Sequence, residues 1–215
     1  MRLLAELQES VQYVTEATET GKKNLFIEGC MMVYGKGNKN GRFYPQGVME
    51  QAVGRYVKEV INEKRGYGEL NHPSGPQINL DRVSHLIEKL EFRNDGVVWG
   101  KARVLDTPMG NIAKGLIEGG ANVGVSSRGL GSVKQVDNGL MEVQSDYRLV
   151  TAADIVADPS APGAFVKGIM ENVEFFYDEK TGQYVEDTKK HIRTLSKSQL
   201  EEQKLFLFER FLKSL

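Results

Sequence analysis

The stretch VVWGKARVLDTPMGNIAKGLIEGGANVGVSSRGLGSV, residues 97–133, decides the fold class because it joins two strand patterns through a helix. Residues 97–105 alternate between apolar and polar positions, as a strand does when one of its faces is buried. Thr107 and Pro108 predict the start of a helix, since Thr suits the N-cap and Pro the first helical position. Residues 122–133 then follow as a strand interrupted by glycines.

The flanking segments add more strands and one more helix. Residues 24–34 are an apolar run with a central glycine, which predicts a strand with a bulge or a close backbone contact. Residues 47–64 follow a proline and predict a helix, and residues 81–94 run into a strand. Two further strands are predicted at 140–145 and 147–156. Because no regular βαβ repeat occurs, we expect an α+β fold, with a mixed, mainly antiparallel sheet or a partly closed barrel and flanking helices.

The two ends of the chain differ from this core. Residues 1–20 carry leucines and valines at helical spacing and predict a short helix ahead of a core domain at 21–171. Residues 172–215 predict a charged linker followed by an amphipathic helix from position 196. The apolar side of that helix consists of Leu200, Leu205, Leu207, Phe208, Phe211 and Leu212. This side either packs on the chain's own core or docks on a partner or a second copy.

Composition excludes several classes of protein. The 215 residues include 28 Lys+Arg and 29 Asp+Glu, and this balance gives no case for a nucleic-acid-binding surface. With one cysteine and no Cys/His cluster, we expect neither an intramolecular disulfide nor a metal site. No apolar run approaches the roughly 20 residues of a membrane span, and the N-terminus lacks the apolar region of a signal peptide.

One candidate for chemistry is His72 in GELNHP, residues 68–73. A histidine in a turn-rich loop and followed by proline is held by the backbone near the surface, where catalytic groups often lie. The alternative is a surface histidine with no function. Of the other histidines, His85 is expected to be packed or on the surface, and His191 lies in the charged tail.

A second candidate is GVSSRGLGS, residues 124–132. A serine here could attack a carbonyl, and the following backbone N–H groups of Ser127, Arg128 and Gly129 could stabilise the oxyanion with Arg128 in support. Ser126 and Ser127 would point to opposite faces of a strand, so only one of them can be the nucleophile. The alternative is a glycine-rich strand with solvent-facing serines.

A third candidate is Asp154, an acid inside an otherwise apolar strand. Such a residue is costly to bury unless it is paired, and an imidazole partner would make it the orienting member of a catalytic triad. The alternative is an aspartate on a sheet face or bonded to a loop N–H. Cys30, which follows a glycine in an apolar strand, is expected to belong to the core.

Together, GELNHP, GVSSRGLGS and DIVADPSAP (residues 154–162) resemble the prohead core proteases of T-even-type tailed bacteriophages, over about residues 25–166. The resemblance implies a fold similar to that of herpesvirus assemblins and other phage prohead proteases. It implies that His72 is the catalytic histidine, that Ser126 is the nucleophile and that Asp154 is the third member. Neither a metal nor an organic cofactor is implied.

The resemblance also implies a substrate and a location. Such proteases act inside the immature capsid, in the host cytoplasm, where they cut scaffold (core) proteins, the major capsid protein and finally themselves. They cut after Glu in a Leu/Ile-X-Glu pattern, so 21–171 would be the protease domain, residues 1–20 a propeptide-like segment and 172–215 a removable tail. Matching triplets end at Glu6, Glu9, Glu88, Glu118, Glu142, Glu171, Glu202 and Glu209.

Two other classes of protein remain open. A non-catalytic capsid or tube-related assembly protein could use the same core, but it would have no reason to bring His72, Ser126 and Asp154 together. An esterase of the common hydrolase fold is disfavoured, because neither GxSxG nor a regular βαβ pattern occurs.

Overall fold

The computed structural model describes residues 1–8, 11–17, 23–73, 75–136, 139–157, 175–178 and 183–186. In chain order, the elements are β1 (Arg2–Gln8), β2 (Val11–Ala17), β3 (Lys23–Val33), β4 (Arg42–Phe43), α1 (Gln46–Tyr56), a π-helical turn (Val57–Ile61), β5 (Tyr67–Glu69), a 3-10 turn (Leu80–Arg82), β6 (Val83–Arg93), β7 (Val97–Val104), α2 (Pro108–Glu118), β8 (Val123–Gly131), β9 (Val133–Gln135), β10 (Met141–Val143), β11 (Arg148–Ala157), β12 (Phe175–Asp178) and β13 (Gln183–Glu186).

The largest sheet has five antiparallel strands in the order β2-β3-β7-β6-β5. Along β7, Val98, Ala102 and Val104 are buried and alternate with partly exposed residues, which confirms the predicted strand. Its pairing with β3 shifts register between Cys30 and Met32. The irregularity predicted for this apolar segment is therefore present, and Cys30 lies in the core as expected.

A second sheet carries the glycine-broken strand at its centre, in the order β1-β8-β11. All nine residues of β8 are buried, because strands flank it on both sides and other elements cover its faces. A parallel bridge between Leu70 and Ile155 connects this sheet to the end of β5. The fold is α+β and mostly antiparallel as predicted, but the described strands do not close into a barrel.

The two helices predicted within the core domain are confirmed. Helix α1 buries Met49, Ala52, Val53 and Tyr56 and continues into the π-helical turn. At α2, the Thr107 side chain accepts a hydrogen bond from the backbone N–H of Gly110 at 3.0 Å, which is the capping that the sequence predicts. Among the described residues, no helix has the length and the apolar character needed to cross a membrane.

The helix predicted for residues 1–20 is wrong, since β1 and β2 occupy this segment. Strand β1 is covered on both faces: Leu3 packs with Leu130, while Leu4 belongs to the main core. A strand buried on both faces loses the two-residue alternation, so its leucines resemble a helical stripe. Pairing with β8 supplies the backbone hydrogen bonds of this segment.

The C-terminal region is described only in part. Strands β12 and β13 form an antiparallel hairpin where the sequence predicted a charged linker without regular structure. The predicted amphipathic helix at 196–215 and His191 lie outside the described residues.

Candidate active site

The loop that follows β5 places His72 beside β11. Asn71 has a left-handed backbone conformation (φ 63°), which asparagine tolerates better than most residues. Its N–H donates to the carbonyl of Ile155 at 2.8 Å, so the residue before His72 is fixed to the second sheet. On the other side, Leu70 N–H donates to the carbonyl of Arg82 at 3.1 Å.

Asp154 accepts hydrogen bonds from three different parts of the chain, although it is fully buried. His72 Nδ1 lies 2.8 Å from Oδ2, and Arg128 Nε donates to the same oxygen at 2.6 Å. The backbone N–H of Glu69 donates to Oδ1 at 2.9 Å. The acid predicted to need a partner is therefore paired with both an imidazole and a guanidinium.

These contacts keep Asp154 ionised. Burial alone would raise the pKa of the Asp154 carboxyl, but the hydrogen bond from His72 and the positive charge of Arg128 outweigh it and lower the pKa below its ordinary value. A carboxylate only accepts hydrogen bonds, so the hydrogen of the neutral His72 ring resides on Nδ1. The lone pair of His72 Nε2 can therefore accept a hydrogen bond from another group.

Ser126 lies directly opposite Asp154 in the β8–β11 pair. Residues in such a cross-strand pair point to the same face, with Cβ atoms about 4.5–5.5 Å apart. His72 Nε2 is buried and has no hydrogen-bond partner within the described part of the chain. Asp154 is thus bonded to an imidazole and lies opposite a serine, and a serine, a histidine and a carboxylate are the residue types that nucleophilic catalysis of this kind uses.

Ser127 does not join this group. It follows Ser126 in an extended strand, so its side chain points to the opposite face. There it lines a small, partly open pocket together with Glu6, Tyr44 and Tyr147. Gly129 lies against the ring of Tyr147, where an added Cβ would be 2.4 Å from the nearest ring atom. The oxyanion role of these backbone groups stays a prediction.

Glu69 is a site residue that the sequence analysis did not single out. It is fully buried next to Arg128, and its Oε1 lies 3.5 Å from the Arg128 guanidinium. The same oxygen accepts from the backbone N–H of Asn79 at 2.6 Å, across the loop that carries His72. The available signal was an acid inside GELNHP, at the end of a strand and surrounded by turn-forming residues.

His85 is packed rather than reactive. Burial lowers its pKa, so the ring is neutral. Its Nε2 lies 3.0 Å from the carbonyl of Ala153, which can only accept, and its Nδ1 therefore accepts from the hydroxyl of Ser84 at 2.9 Å. Cys30 is equally inert, since burial raises the pKa of its thiol to about 11. The described residues contain no group of three or more His, Cys, Asp or Glu side chains that could hold a metal ion.

Comparison with known proteins identifies relatives for most of this chain. The family model described as prohead core protein serine protease matches residues 6–174. The prohead core protein protease of Enterobacteria phage T4 is 38% identical over 149 residues, which cover 67% of this chain and 69% of that protein. The solved structure of the bacteriophage T4 capsid assembly protease, gp21, aligns with a TM-score of 0.68 at 30% identity. That alignment covers 73% of this chain and 98% of the solved one.

Proposed function

This chain belongs to the prohead core protein serine protease family, and from that premise we propose that it is a serine endopeptidase of capsid maturation. Ser126 is the nucleophile, His72 the general base and acid, and Asp154 the residue that orients the imidazole. The observation that carries the proposal is the position of Asp154, which pairs with His72 at 2.8 Å and lies opposite Ser126.

The proposed reaction is acyl transfer in two steps. In the first, His72 Nε2 takes the hydroxyl proton of Ser126 while Ser126 Oγ bonds to the peptide carbonyl carbon. The same proton passes to the leaving amine as the peptide bond breaks. In the second, His72 takes a proton from water, the hydroxide attacks the acyl-enzyme, and Ser126 Oγ recovers the proton. Throughout, the Asp154 carboxylate stabilises the imidazolium and holds the ring by Nδ1.

Backbone N–H groups that follow Ser126 are the proposed oxyanion donors. Support comes from the β8–β11 register, which shifts between Thr151 and Asp154, next to the Ser126 position. The extra residue of this bulge lies on β11, and the ladder of hydrogen bonds that it interrupts includes the segment of β8 after Ser126.

The proposed substrates are the core (scaffold) proteins and the major capsid protein, cut after Glu in Leu/Ile-X-Glu sites inside the prohead. The names of the T4 relatives support this choice of substrate. Self-cleavage is part of the proposal, with Glu9 and Glu171 as preferred sites. Glu6 is a poor site in the folded chain, because its side chain is buried and bonded to Arg42 and Tyr44.

The experiment incubates wild type, Ser126→Ala and Ser127→Ala with a capsid core protein and a Leu-X-Glu peptide, and maps every new terminus by mass spectrometry. We expect cleavage after Glu in wild type and in Ser127→Ala, and none in Ser126→Ala. Cleavage that survives in Ser126→Ala would contradict the assignment of the nucleophile. Failure of wild type to cut either substrate would favour an assembly protein without catalytic activity.

A further inference from the structure

Arg128 contacts Asp154, Glu69 and the loop that begins at His72. Its side chain is 1% exposed and lies two residues after Ser126 on the same face of β8. Nε donates to Asp154 Oδ2 at 2.6 Å. Nη1 donates to the carbonyls of Gly75 at 2.9 Å and Gln77 at 3.3 Å, both in the loop that begins at His72.

The remaining nitrogen faces two buried carboxylates. Nη2 lies 3.4 Å from Asp154 Oδ1 and 3.5 Å from Glu69 Oε1. Of the five N–H donors of this guanidinium, four are used in hydrogen bonds, and Nη2 also forms an ion pair with Glu69. The contacts of the guanidinium are thus with Asp154, Glu69 and the loop, which places it in support of the carboxylate.

We propose that Arg128 is a positioning residue. It holds the Asp154 carboxylate and the His72 loop in fixed positions relative to each other, and Glu69 is its second carboxylate partner. This inference rests on the proposed function, because it concerns the geometry of the same site. It assigns Arg128 to the support of the catalytic carboxylate rather than of the oxyanion.

Geometry explains why arginine serves here. The guanidinium is planar and can bond a carboxylate on one edge and two loop carbonyls on the other. A lysine at this position would keep the positive charge but could not reach both edges. The charges that face Asp154 and Glu69 are Arg128 itself, the partly exposed Arg82 at 3.8 Å from Glu69, and His72 whenever it is protonated.

The first measurement compares wild type with Arg128→Lys in steady-state peptidase assays. If the planar fork positions the site, kcat should fall about 10- to 100-fold with little change in KM, because misplacement of a reacting group by about 1 Å has effects of this size. Arg42→Lys is the matched control. Arg42 is also a buried arginine bonded to a carboxylate (Glu6, at 2.9 Å), but it does not contact Asp154, and kcat should stay within about twofold of wild type.

The second measurement is independent of activity and uses the full chain with Ser126→Ala, so that self-cleavage cannot degrade the sample. His72 Nδ1–H should give a downfield imidazole proton resonance, which His72→Gln removes and thereby assigns. Because His72 Nδ1 and Arg128 Nε both bond Asp154 Oδ2, their protons should show a cross-peak. Arg128→Lys should broaden or shift the His72 resonance, whereas Arg42→Lys should leave it in place.

The outcomes separate the two proposals. Loss of kcat in Arg128→Lys with an unchanged His72 resonance would overturn the positioning role, because Arg128 would then act on the substrate directly. Absence of the Arg128–His72 cross-peak in the Ser126→Ala chain would overturn it even if Arg128→Lys did not fold. If the resonance responds as expected but no Ser126-dependent cleavage exists, the positioning role is supported and the proposed function fails.

Discussion

Asp154 lies opposite Ser126 across the β8–β11 pair while its carboxylate accepts a hydrogen bond from His72. One side chain on β11 thus links the pairing of the sheet to the conformation of a loop. Because Asp154 is fully buried, a small change at this position affects the charge balance of the site as well as its geometry.

Asp154→Asn should therefore lower both activity and stability. The amide can present an N–H to His72, which favours the tautomer with hydrogen on Nε2 and removes the acceptor for the Ser126 proton. We expect kcat to fall about 10³- to 10⁴-fold, as such a substitution does in other serine proteases.

Loss of the carboxylate also leaves Arg128 with less compensating charge, at a cost of about 3 kcal/mol in the free energy of unfolding. Peptide kinetics and urea unfolding measure the two effects, and a variant that retains a tenth of wild-type kcat would contradict the role of Asp154.

Stability should fall in two separate ranges as the pH is lowered. His85 has a lowered pKa in the folded chain, so below about pH 6.5 the unfolded chain binds a proton that the folded chain does not. Stability then declines by up to about 1.4 kcal/mol per pH unit. Asp154 also has a lowered pKa, so its contribution is complete above the unfolded value of about 3.9 and is lost below it.

The variant His85→Gln tests whether His85 causes the loss of stability below about pH 6.5. The free energy of unfolding of this variant between pH 7 and 5 should depend less steeply on pH than that of wild type. Equal slopes in the two proteins would mean that His85 is not the group responsible.

Gly68→Ala should be strongly destabilising. A Cβ at this position would lie 2.0 Å from His85 Nε2 and 2.4 Å from the carbonyl oxygen of Ala153, the residue before Asp154. Overpacking of this kind costs about 3 kcal/mol. Gly54→Ala is the control, because Gly54 lies in α1 and a Cβ added there would have no neighbouring atom within 4 Å, so it should gain about 1 kcal/mol from helix propensity. Thermal unfolding of the pair gives the comparison, and similar midpoints for both variants would argue against tight packing at Gly68.

Glu6→Ala should show how much the contacts of Glu6 with Arg42 and Tyr44 contribute to holding β1 in the fold. Glu6 Oε1 accepts from Arg42 at 2.9 Å and from the Tyr44 hydroxyl at 2.8 Å, and removal of the acid leaves Arg42 buried without this charge partner. Such a loss costs about 3–5 kcal/mol. Glu16→Ala in β2 removes a half-exposed partner of Lys101 and should cost less than about 1 kcal/mol. Urea unfolding would count against this account if the two variants were equally stable.

Much of the fold could be predicted because its local signals agree with one another. Thr107 and Pro108 set the start of α2, and the alternation along β7 matches its buried face. Strand β1 could not be predicted in the same way, because its position depends on pairing with residues more than a hundred positions away. Long-range pairing overrides a local helical pattern when it buries both faces of a segment. The predicted likeness to herpesvirus assemblins stays a prediction.

The candidate site was predictable where residue type alone carries information. A histidine in a tight loop and an acid in an apolar strand each stand out, and the structure brings His72 and Asp154 into contact. The sequence signal for Glu69, an acid among turn-forming residues, was weak, because a glutamate in such a segment is ordinarily solvated. The Glu69 carboxylate is a buried ion-pair partner because the fold brings Arg128 next to it from a distant strand.

The order β1-β8-β11 has a consequence for biosynthesis. The sheet joins the first residues of the chain to strands that are translated much later, and Asp154 lies near the end of the last of them. A nascent chain that stops before β11 lacks the carboxylate that bonds His72, however well its earlier part has folded. Pairings with such large sequence separation also form slowly. A ribosome-bound chain therefore lacks the complete candidate site until β11 has been made, which would delay the proposed proteolysis until late in synthesis.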